Sequence, residues 1–162
     1  MNKLFYFKGT AALAPHIVLE ELGVAYETEL VDFTQQAQKS EAYLSVNPKA
    51  RVPALLTTDG ILTETPAILV YLAQTNPDAG LIPTNPYRFA QVQEFNNYLA
   101  ATVHVAHAHK HRGSRWSDDK AAHATMTAKV TENMTDCAEL IEHHYLRGLF
   151  VMGEQFTICD PY

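Results

Sequence analysis

Two short stretches of the chain carry groups suited to holding a charged peptide. In the first, Val52-Pro53 comes directly before the apolar run Ala54-Leu55-Leu56, which predicts a strand. Proline has no N–H to donate to a sheet, and a cis turn here would leave the Val52 N–H and C=O pointing outward. Exposed backbone groups beside a strand pair with extended peptide ligands. The stretch therefore predicts a backbone contact for a bound peptide.

The second stretch, Glu64-Thr65-Pro66, predicts the start of a helix that continues to Leu72. Thr65 suits the N-cap, and Pro66 suits the first helical position. The free N–H groups and the positive end of the helix dipole favour a carboxylate, while the Glu64 carboxylate can hold an ammonium group. Together they predict a site for the α-amino-acid end of a short peptide whose backbone runs to Val52.

Residues 47–73 resemble the glutathione-binding half of the glutathione transferases. The matching blocks are Asn47-Pro48-Lys49, Val52-Pro53-Ala54-Leu55 and Thr63-Glu64-Thr65-Pro66-Ala67-Ile68 with Tyr71-Leu72, and their spacing also fits. The resemblance implies that glutathione binds as a cosubstrate through Val52, Pro53, Glu64 and Thr65, without a metal or other cofactor. The alternative is an ordinary hairpin and helix with a structural cis-proline.

The thiol of glutathione must be ionised to attack an electrophile, yet its pKa lies near that of free cysteine, ~8.5. The loop over residues 9–16, before the first helix, is the natural place to stabilise a thiolate. This loop most resembles that of the bacterial beta class, which carries Cys and Ser where this chain has Ala11 and Ala12. We therefore expect the backbone N–H groups of Thr10 and Ala11, with the Thr10 hydroxyl, to stabilise the thiolate. The alternative for Thr10 is a loop cap.

Three further residues belong to the site implied by the resemblance. Tyr6 lies on the first predicted strand, where the family carries a tyrosine, and the alternative is a core aromatic. His104 matches a histidine that lines the beta-class site. Asn97 lies seven residues earlier in the chain, on the same predicted helix face. In the beta class an asparagine here reaches glutathione bound to the other subunit, which implies a homodimer; the alternative is a solvated polar residue.

Several histidines fall close together after Asn97. His104, His107 and His111 step by three and four positions and therefore share a helix face. His107 and His111 alone form an i, i+4 pair of the kind that chelates zinc. No carboxylate lies between them in the HExxH manner, and no cysteine is close in sequence. The pattern therefore favours a cleft lining or a solvated face over a metal site.

The elements of the first half predict an α/β domain of the thioredoxin-like type. A strand over residues 4–7 is followed by a helix that ends before Gly23, a strand over 26–31, a loose helix over 34–44, and then a hairpin and a helix. Asp59-Gly60 is a strong hairpin signal. The resulting order, βαβαββα, places this domain over residues 1–75.

The second half predicts helices alone. Four prolines and glycines mark a linker over residues 76–86. Apolar residues then recur every three or four positions up to about His111, and again after a predicted cap at Ser117. Residues 87–162 therefore predict an all-α domain. Thr157-x-x-Asp160 is a capping box that resembles the family's helix-starting motif, and because the chain ends five residues after Thr157 we expect this domain to be truncated.

Composition excludes several classes of function. The formal net charge of −6 argues against nucleic acid as a partner. Cys137 and Cys159 form no disulfide framework, which predicts a cytoplasmic location. No apolar run approaches the ~20 residues that cross a bilayer, so no membrane association is expected.

The sequence thus predicts a glutathione transferase that conjugates glutathione to small, partly apolar electrophiles. One alternative is a non-catalytic binding or regulatory protein on the same scaffold, which the Ala11-Ala12 pair favours. A further alternative is another glutathione-dependent enzyme, such as an isomerase, dehalogenase or peroxidase, because a fold does not settle the chemistry.

Overall fold

A computed structural model describes residues 1–162 and begins with a four-stranded sheet. The strands are β1 (Asn2–Tyr6), β2 (Tyr26–Leu30), β3 (Ala54–Leu56) and β4 (Ile61–Thr63), in the order β2-β1-β3-β4. β1 pairs with β2 in parallel and with β3 antiparallel, and β3 and β4 form the predicted hairpin. The helices of this part are α1 (Leu13–Leu22), α2 (Glu41–Val46) and α3 (Thr65–Gln74). The predicted thioredoxin-like architecture is confirmed.

Successive side chains of β1 enter two different cores, because strand side chains alternate between the sheet faces. Leu4 is fully buried in the larger core with residues of α1 and α3. Phe5 packs on the other side with Val31 and Tyr43. This two-sided burial fixes where the end of β1, and therefore the loop that follows it, lies relative to α3.

The polar stretch after β2 departs from the predicted loose helix over residues 34–44. It contains two 3₁₀ turns, Phe33–Gln35 and Ala37–Lys39, before α2 begins at Glu41. Gln36 lies between the turns with a φ of 54°, a left-handed conformation that interrupts a right-handed helix. The prediction of one continuous helix is therefore wrong.

α3 begins one residue earlier than the sequence predicts. The Ile68 N–H donates to the Glu64 carbonyl at 3.0 Å, so Glu64 is the N-cap, Thr65 is the first helical residue and Pro66 is the second. Glu64 has a φ of 73°, and its side chain makes no capping bond. Thr65 itself is buried and follows the N-cap residue, so its hydroxyl does not have the predicted capping role.

The helical part contains α4 (Pro86–Tyr98), α5 (His104–Arg112) and α6 (Lys120–Leu140). A π turn, Leu99–Val103, joins α4 to α5, and a second one, Ile141–Tyr145, extends α6. The cap of α6 is Asp119, whose carboxylate accepts from the Ala121 N–H at 2.8 Å, rather than the predicted Ser117. None of these helices has the length and hydropathy to cross a bilayer.

One core joins the sheet part to the helical part. Its 17 buried residues include Leu69 of α3, Phe95 of α4 and Ile158 near the end of the chain. The Ile158 N–H also donates to the carbonyl of Leu81, in the connection between α3 and α4, at 3.0 Å. This shared core fixes the orientation of α4 and α5 against the sheet, and a cleft is left on one side.

Candidate functional site

A cleft of about 680 Å³ lies between the sheet part and the helices. Its sheet side is formed by the loop after β1, the start of α1, residues 50–52 before β3, and Phe33 and Gln38. Its helical side is formed by residues of the first π turn, α5, the 3₁₀ turn Gly113–Arg115 and α6, and Pro161 and Tyr162 close it. The two sides come from segments far apart in the sequence.

Two backbone donors lie in the loop after β1, as predicted. Thr10 and Ala11 both line the cleft, and neither N–H has a hydrogen-bond partner within the chain. The Thr10 hydroxyl behaves differently from the expectation: it donates to the carbonyl of Phe7 at 2.6 Å and accepts from the Ala12 N–H at 3.3 Å. Its only hydrogen is therefore already used, and the loop-cap alternative describes its geometry better.

Val52 offers an unpaired backbone edge to the same cleft. The Val52-Pro53 bond is cis, as predicted, and neither the N–H nor the C=O of Val52 bonds to another group of the chain. The preceding carbonyl, that of Arg51, accepts from the Tyr43 hydroxyl and the Asn47 amide, both at 2.7 Å. These two bonds hold the segment in place, so the Val52 edge is preformed.

The start of α3 does not itself line the cleft, but it lies beside Tyr162, which does. Its first N–H groups have no partner within the helix, as at every helix start. The Glu64 carboxylate is occupied by Lys49, whose Nζ lies 2.5 Å from Oε1 and also donates to the Thr63 hydroxyl at 2.6 Å. The Glu64 side chain is 61% exposed, so this ion pair is weak and exchangeable. A ligand ammonium can take the place of Lys49.

Tyr162 connects the α3 corner to the cleft. It lines the cleft and lies beside Thr65 and Glu64. Burial raises its pKa, and the negative charge of Glu64 acts in the same direction, whereas the interaction with Thr65 opposes them. Neither Tyr162 nor Gln38, whose Oε1 is buried without a partner, is predicted from the sequence, because no motif marks them.

His104 lines the helical side of the cleft together with His107 and His111, as the shared-face prediction indicates. Desolvation lowers the pKa of His104, and the positive charges of Arg112, His107, Arg51 and Arg115 lower it further. The imidazole is therefore kept neutral more readily than a free histidine, and it is a weaker base. The structure contains no group of three or more His, Cys, Asp or Glu residues arranged to hold a metal.

Three arginines that the sequence does not single out complete the cleft. Arg51 lies on the sheet side, whereas Arg112 and Arg115 lie on the helical side. Desolvation lowers the pKa of Arg115, and Arg51 and Arg112 contribute by charge repulsion. None of the three forms an ion pair. The i, i+3 spacing of Arg112 and Arg115 was the one sequence signal available; Arg51 joins them only through the fold.

The structure does not bring Tyr6 or Asn97 into the cleft. Tyr6 packs on the same core as Leu4, and its ring lies 5.8 Å from that of His16, so the core-aromatic alternative describes it. Asn97 is exposed and donates to the Gln93 carbonyl at 2.8 Å. The π turn between Asn97 and His104 means that seven residues no longer equal two α-helical turns. The predicted common face is therefore wrong, while a contact from Asn97 to another subunit stays a prediction.

Comparison with known proteins relates this chain to a protein family. Residues 2–74 match the family model described as the glutathione S-transferase N-terminal domain. Over 163 aligned residues the chain is 34% identical to glutathione S-transferase GstA of Escherichia coli O157:H7, covering 99% of this chain and 78% of that protein. It is 28% identical to a probable maleylacetoacetate isomerase of Caenorhabditis elegans, covering 96% of this chain and 72% of that protein.

The same likeness extends to solved structures. A glutathione transferase homologue from Sulfitobacter, crystallised with bound glutathione, is 47% identical in sequence and has a TM-score of 0.97. The match covers the whole of this chain and 78% of that one.

Proposed function

The chain belongs to the glutathione S-transferase family, and from this premise we propose that it binds glutathione in the cleft and directs the thiolate onto a small electrophile. One observation carries the proposal. Val52, Thr10 and Ala11, whose backbone N–H groups are unpaired, line one cleft, and Tyr162, which also lines it, bonds to Thr65 at the start of α3.

Each part of glutathione has a matching group along the sheet side. The γ-glutamyl carboxylate fits the N–H groups and dipole at the start of α3. The ammonium displaces Lys49 from Glu64, and the peptide unit after it pairs with Val52 as an added strand would. The sulfur then reaches Thr10 and Ala11. This order follows from the chemistry of the ligand and the positions of these groups.

The charge of the cleft supports an ionised sulfur. Arg51, Arg112 and Arg115 create a positive potential, and a nearby cation lowers the pKa of a thiol. His104 lines the same cleft as a neutral imidazole that can hydrogen-bond to the bound molecules, while the proton that the thiol loses passes to water. The N–H groups of Thr10 and Ala11, in the loop before α1, can then donate to the thiolate, as an oxyanion hole does. No protein sulfur is needed in this scheme, which is consistent with alanine at positions 11 and 12.

Calorimetry with glutathione and a rate assay with chlorodinitrobenzene test the proposal. We expect Glu64→Gln to weaken glutathione binding about tenfold, because a charge-assisted bond to the ammonium is lost. The matched control is Glu21→Gln, since Glu21 is exposed on α1 away from the cleft. Absence of glutathione binding to the wild-type protein would reject the proposal. Binding without conjugation of any electrophile would favour the non-catalytic alternative.

A second candidate function is glutathione-dependent cis–trans isomerisation, which the likeness to proteins named maleylacetoacetate isomerase favours. A thiolate that adds to a conjugated double bond makes it a single bond, which rotates before the thiolate leaves again. The same cleft can support this reaction, and glutathione is regenerated. Incubation with maleylacetoacetate, followed by mass spectrometry, separates the two functions: a stable adduct indicates transfer, and an isomer with unchanged glutathione indicates isomerisation.

The homodimer remains part of the proposal. Asn97 is exposed and lies outside the cleft of its own chain, so it is free to meet glutathione bound to another subunit. Light scattering that gives twice the 18.1 kDa of one chain would support the dimer. Asn97→Ala should then weaken glutathione binding in the dimer, whereas a monomeric mass would contradict this part.

A further inference from the structure

Three cations line the cleft in addition to the groups assigned to contact glutathione directly. Arg51, Arg112 and Arg115 line it from both sides, and none has an acidic partner. No aspartate or glutamate side chain lines the cleft at all. Three guanidinium groups gathered without a counter-charge repel one another, and such a group is stabilised when an anion enters.

A structural explanation covers only part of this cluster. Arg112 lies in the last turn of α5, where a cation interacts favourably with the negative end of the helix dipole. That effect falls off within one turn and does not involve Arg51, which lies before β3 in the sheet part. The dipole therefore explains why a cation is tolerated at position 112, but it does not explain why the cleft gathers cations from both walls.

The cleft also has apolar wall beside these cations. Leu99, Val103 and Met134 line its helical side, and Leu13 lines the start of α1. An apolar wall next to guanidinium groups suits a molecule with a carbon skeleton and an anionic head. Guanidinium is the side chain best matched to a carboxylate, because its planar donors form paired hydrogen bonds.

We infer that the second substrate of this cleft carries a carboxylate, which Arg112 and Arg115 bind from the helical side, with Arg51 opposite, while its reacting carbon faces the glutathione sulfur. The inference rests on the proposed function and names its substrate class. It adds an anionic group to the small, partly apolar electrophile expected from the sequence.

Glutathione brings a carboxylate of its own, at its glycyl end, and the two sources must be told apart. The contacts assigned to glutathione lie on the sheet side, at the start of α3, at Val52 and at the loop after β1. Arg112 and Arg115 lie on the opposite wall. The second substrate is therefore the assigned source, and glutathione with its glycyl carboxylate esterified supplies the comparison.

The test compares a chloronitrobenzoate with the benzamide of the same substitution pattern, each rate being divided by its uncatalysed rate. Arg112→Gln and Arg115→Gln should each lower kcat/KM for the benzoate about tenfold more than for the benzamide, because any change in the potential at the sulfur affects both probes alike. The control is Lys110→Gln, because Lys110 lies on the same helix but not in the cleft. It should leave both rates unchanged.

Three outcomes would overturn the inference. In the first, both arginine variants lower the two rates equally. In the second, the wild-type protein shows no preference for the benzoate over the benzamide, or shows a preference that does not fall as the salt concentration rises, although salt screens exposed charges. This measurement needs no variant protein. In the third, the arginine effect disappears with the glycyl ester of glutathione, which would assign the arginines to glutathione itself.

Equilibrium binding separates this inference from the proposed function. If neither probe is conjugated but the wild-type protein binds the benzoate at least tenfold more tightly than the benzamide, and Arg112→Gln removes the difference, the anion site stands and the transferase proposal fails. If glutathione binds and the benzamide is conjugated as well as the benzoate, the transferase proposal stands and the anion site is rejected.

Discussion

At the scale of single residues, the Thr10 hydroxyl can bond either within its own loop or to a bound thiolate. Its hydrogen is donated to Phe7 and its oxygen accepts from Ala12, so the side chain closes the turn before α1. Thr10→Ala should lower the free energy of unfolding by about 1 kcal/mol, because these two bonds are lost. It should leave the pKa of bound glutathione, read from thiolate absorbance, nearly unchanged.

Thr10→Ser is the matched control, because it keeps the hydroxyl and should keep the stability. A rise in the thiol pKa in Thr10→Ala but not in Thr10→Ser would show that the hydroxyl turns toward sulfur when glutathione binds. That result would restore the role expected from the sequence.

His104 makes stability depend on pH in a defined direction. Its pKa in the folded protein lies below the ordinary 6.5, through desolvation and the nearby positive charges. Below pH 6.5 the unfolded chain therefore binds a proton at this residue that the folded chain resists, and the free energy of unfolding falls as the pH falls. His104→Gln should flatten this part of the pH dependence, measured by urea unfolding.

Arg112→Gln provides the second test of the same effect. Arg112 is the strongest of the charges that lower the pKa of His104, so its removal should raise that pKa toward 6.5. An NMR titration of the imidazole would detect the change. An unchanged titration of His104 in this variant would contradict the electrostatic explanation.

The residues of the site that could be predicted from the sequence are those whose role is local. Val52 precedes a proline and a strand, and Thr65 starts a helix, so neighbouring residues specify both. Tyr6 was assigned from the family position, but on β1 it shares a face with Leu4 and enters the core. Arg51 and Arg115 act together only because the chain brings them to one cleft, and no local pattern carries that information.

At the scale of elements, Asp160 supports a larger piece of structure than its position near the chain end indicates. Its carboxylate accepts from the N–H groups of Thr157 at 2.7 Å and Val151 at 2.8 Å, and from the Thr157 hydroxyl at 3.1 Å. Asp160→Ala should lower the free energy of unfolding by about 2–4 kcal/mol, because it leaves two partly buried donors unpaired.

Asp119→Ala is the comparison for Asp160. Asp119 is an exposed N-cap with a capping bond to Ala121, so its loss should reduce the free energy of unfolding by only about 1 kcal/mol. Urea unfolding of both variants measures the difference. Equal losses would show that Asp160 acts as a simple cap rather than as a link between residues 151 and 157.

The elements themselves are largely predictable, and the exceptions have physical causes. Short apolar and β-rich runs, the Asp59-Gly60 hairpin signal and helical spacing located every strand and the main helices. The π turn Leu99–Val103 could not be predicted, because its alanine-rich residues are equally compatible with a regular helix and the extra residue is selected by packing. The two 3₁₀ turns after β2 depend on the left-handed backbone conformation of Gln36. This position carries neither glycine nor asparagine, the residues that would have indicated such a conformation.

At the scale of the whole molecule, the shared core predicts that the two parts unfold together. Leu72, Phe95 and Ile158 belong to one buried cluster, so exposing either part would expose the apolar surface of the other. Fluorescence of Trp116, the single tryptophan, reports the helical part, whereas far-UV circular dichroism reports all elements. We expect the two signals to give coincident urea transitions.

Ile158→Ala is the variant that tests this coupling. Ile158 is fully buried, and its truncation should lower the free energy of unfolding by about 2–5 kcal/mol while keeping a single transition. Two separate transitions, in the wild-type protein or in this variant, would show instead that the sheet part and the helical part are independent units.

The order of the whole chain, an α/β part followed by helices, follows from the succession of patterns in the sequence. The position of one part against the other does not, because it depends on which apolar faces meet across the connection between α3 and α4. The cytoplasmic location and the subunit number likewise remain predictions, since neither is a property of one folded chain.

The alanines at positions 11 and 12 have a consequence for redox chemistry. Cys137 and Cys159 are both buried, burial raises the pKa of the Cys159 thiol to about 12, and neither cysteine lines the cleft. Glutathione bound there has no protein thiol with which to form a mixed disulfide. The protein should therefore keep its activity under oxidative stress and after treatment with iodoacetamide, conditions that disable enzymes with a reactive cysteine beside the same ligand.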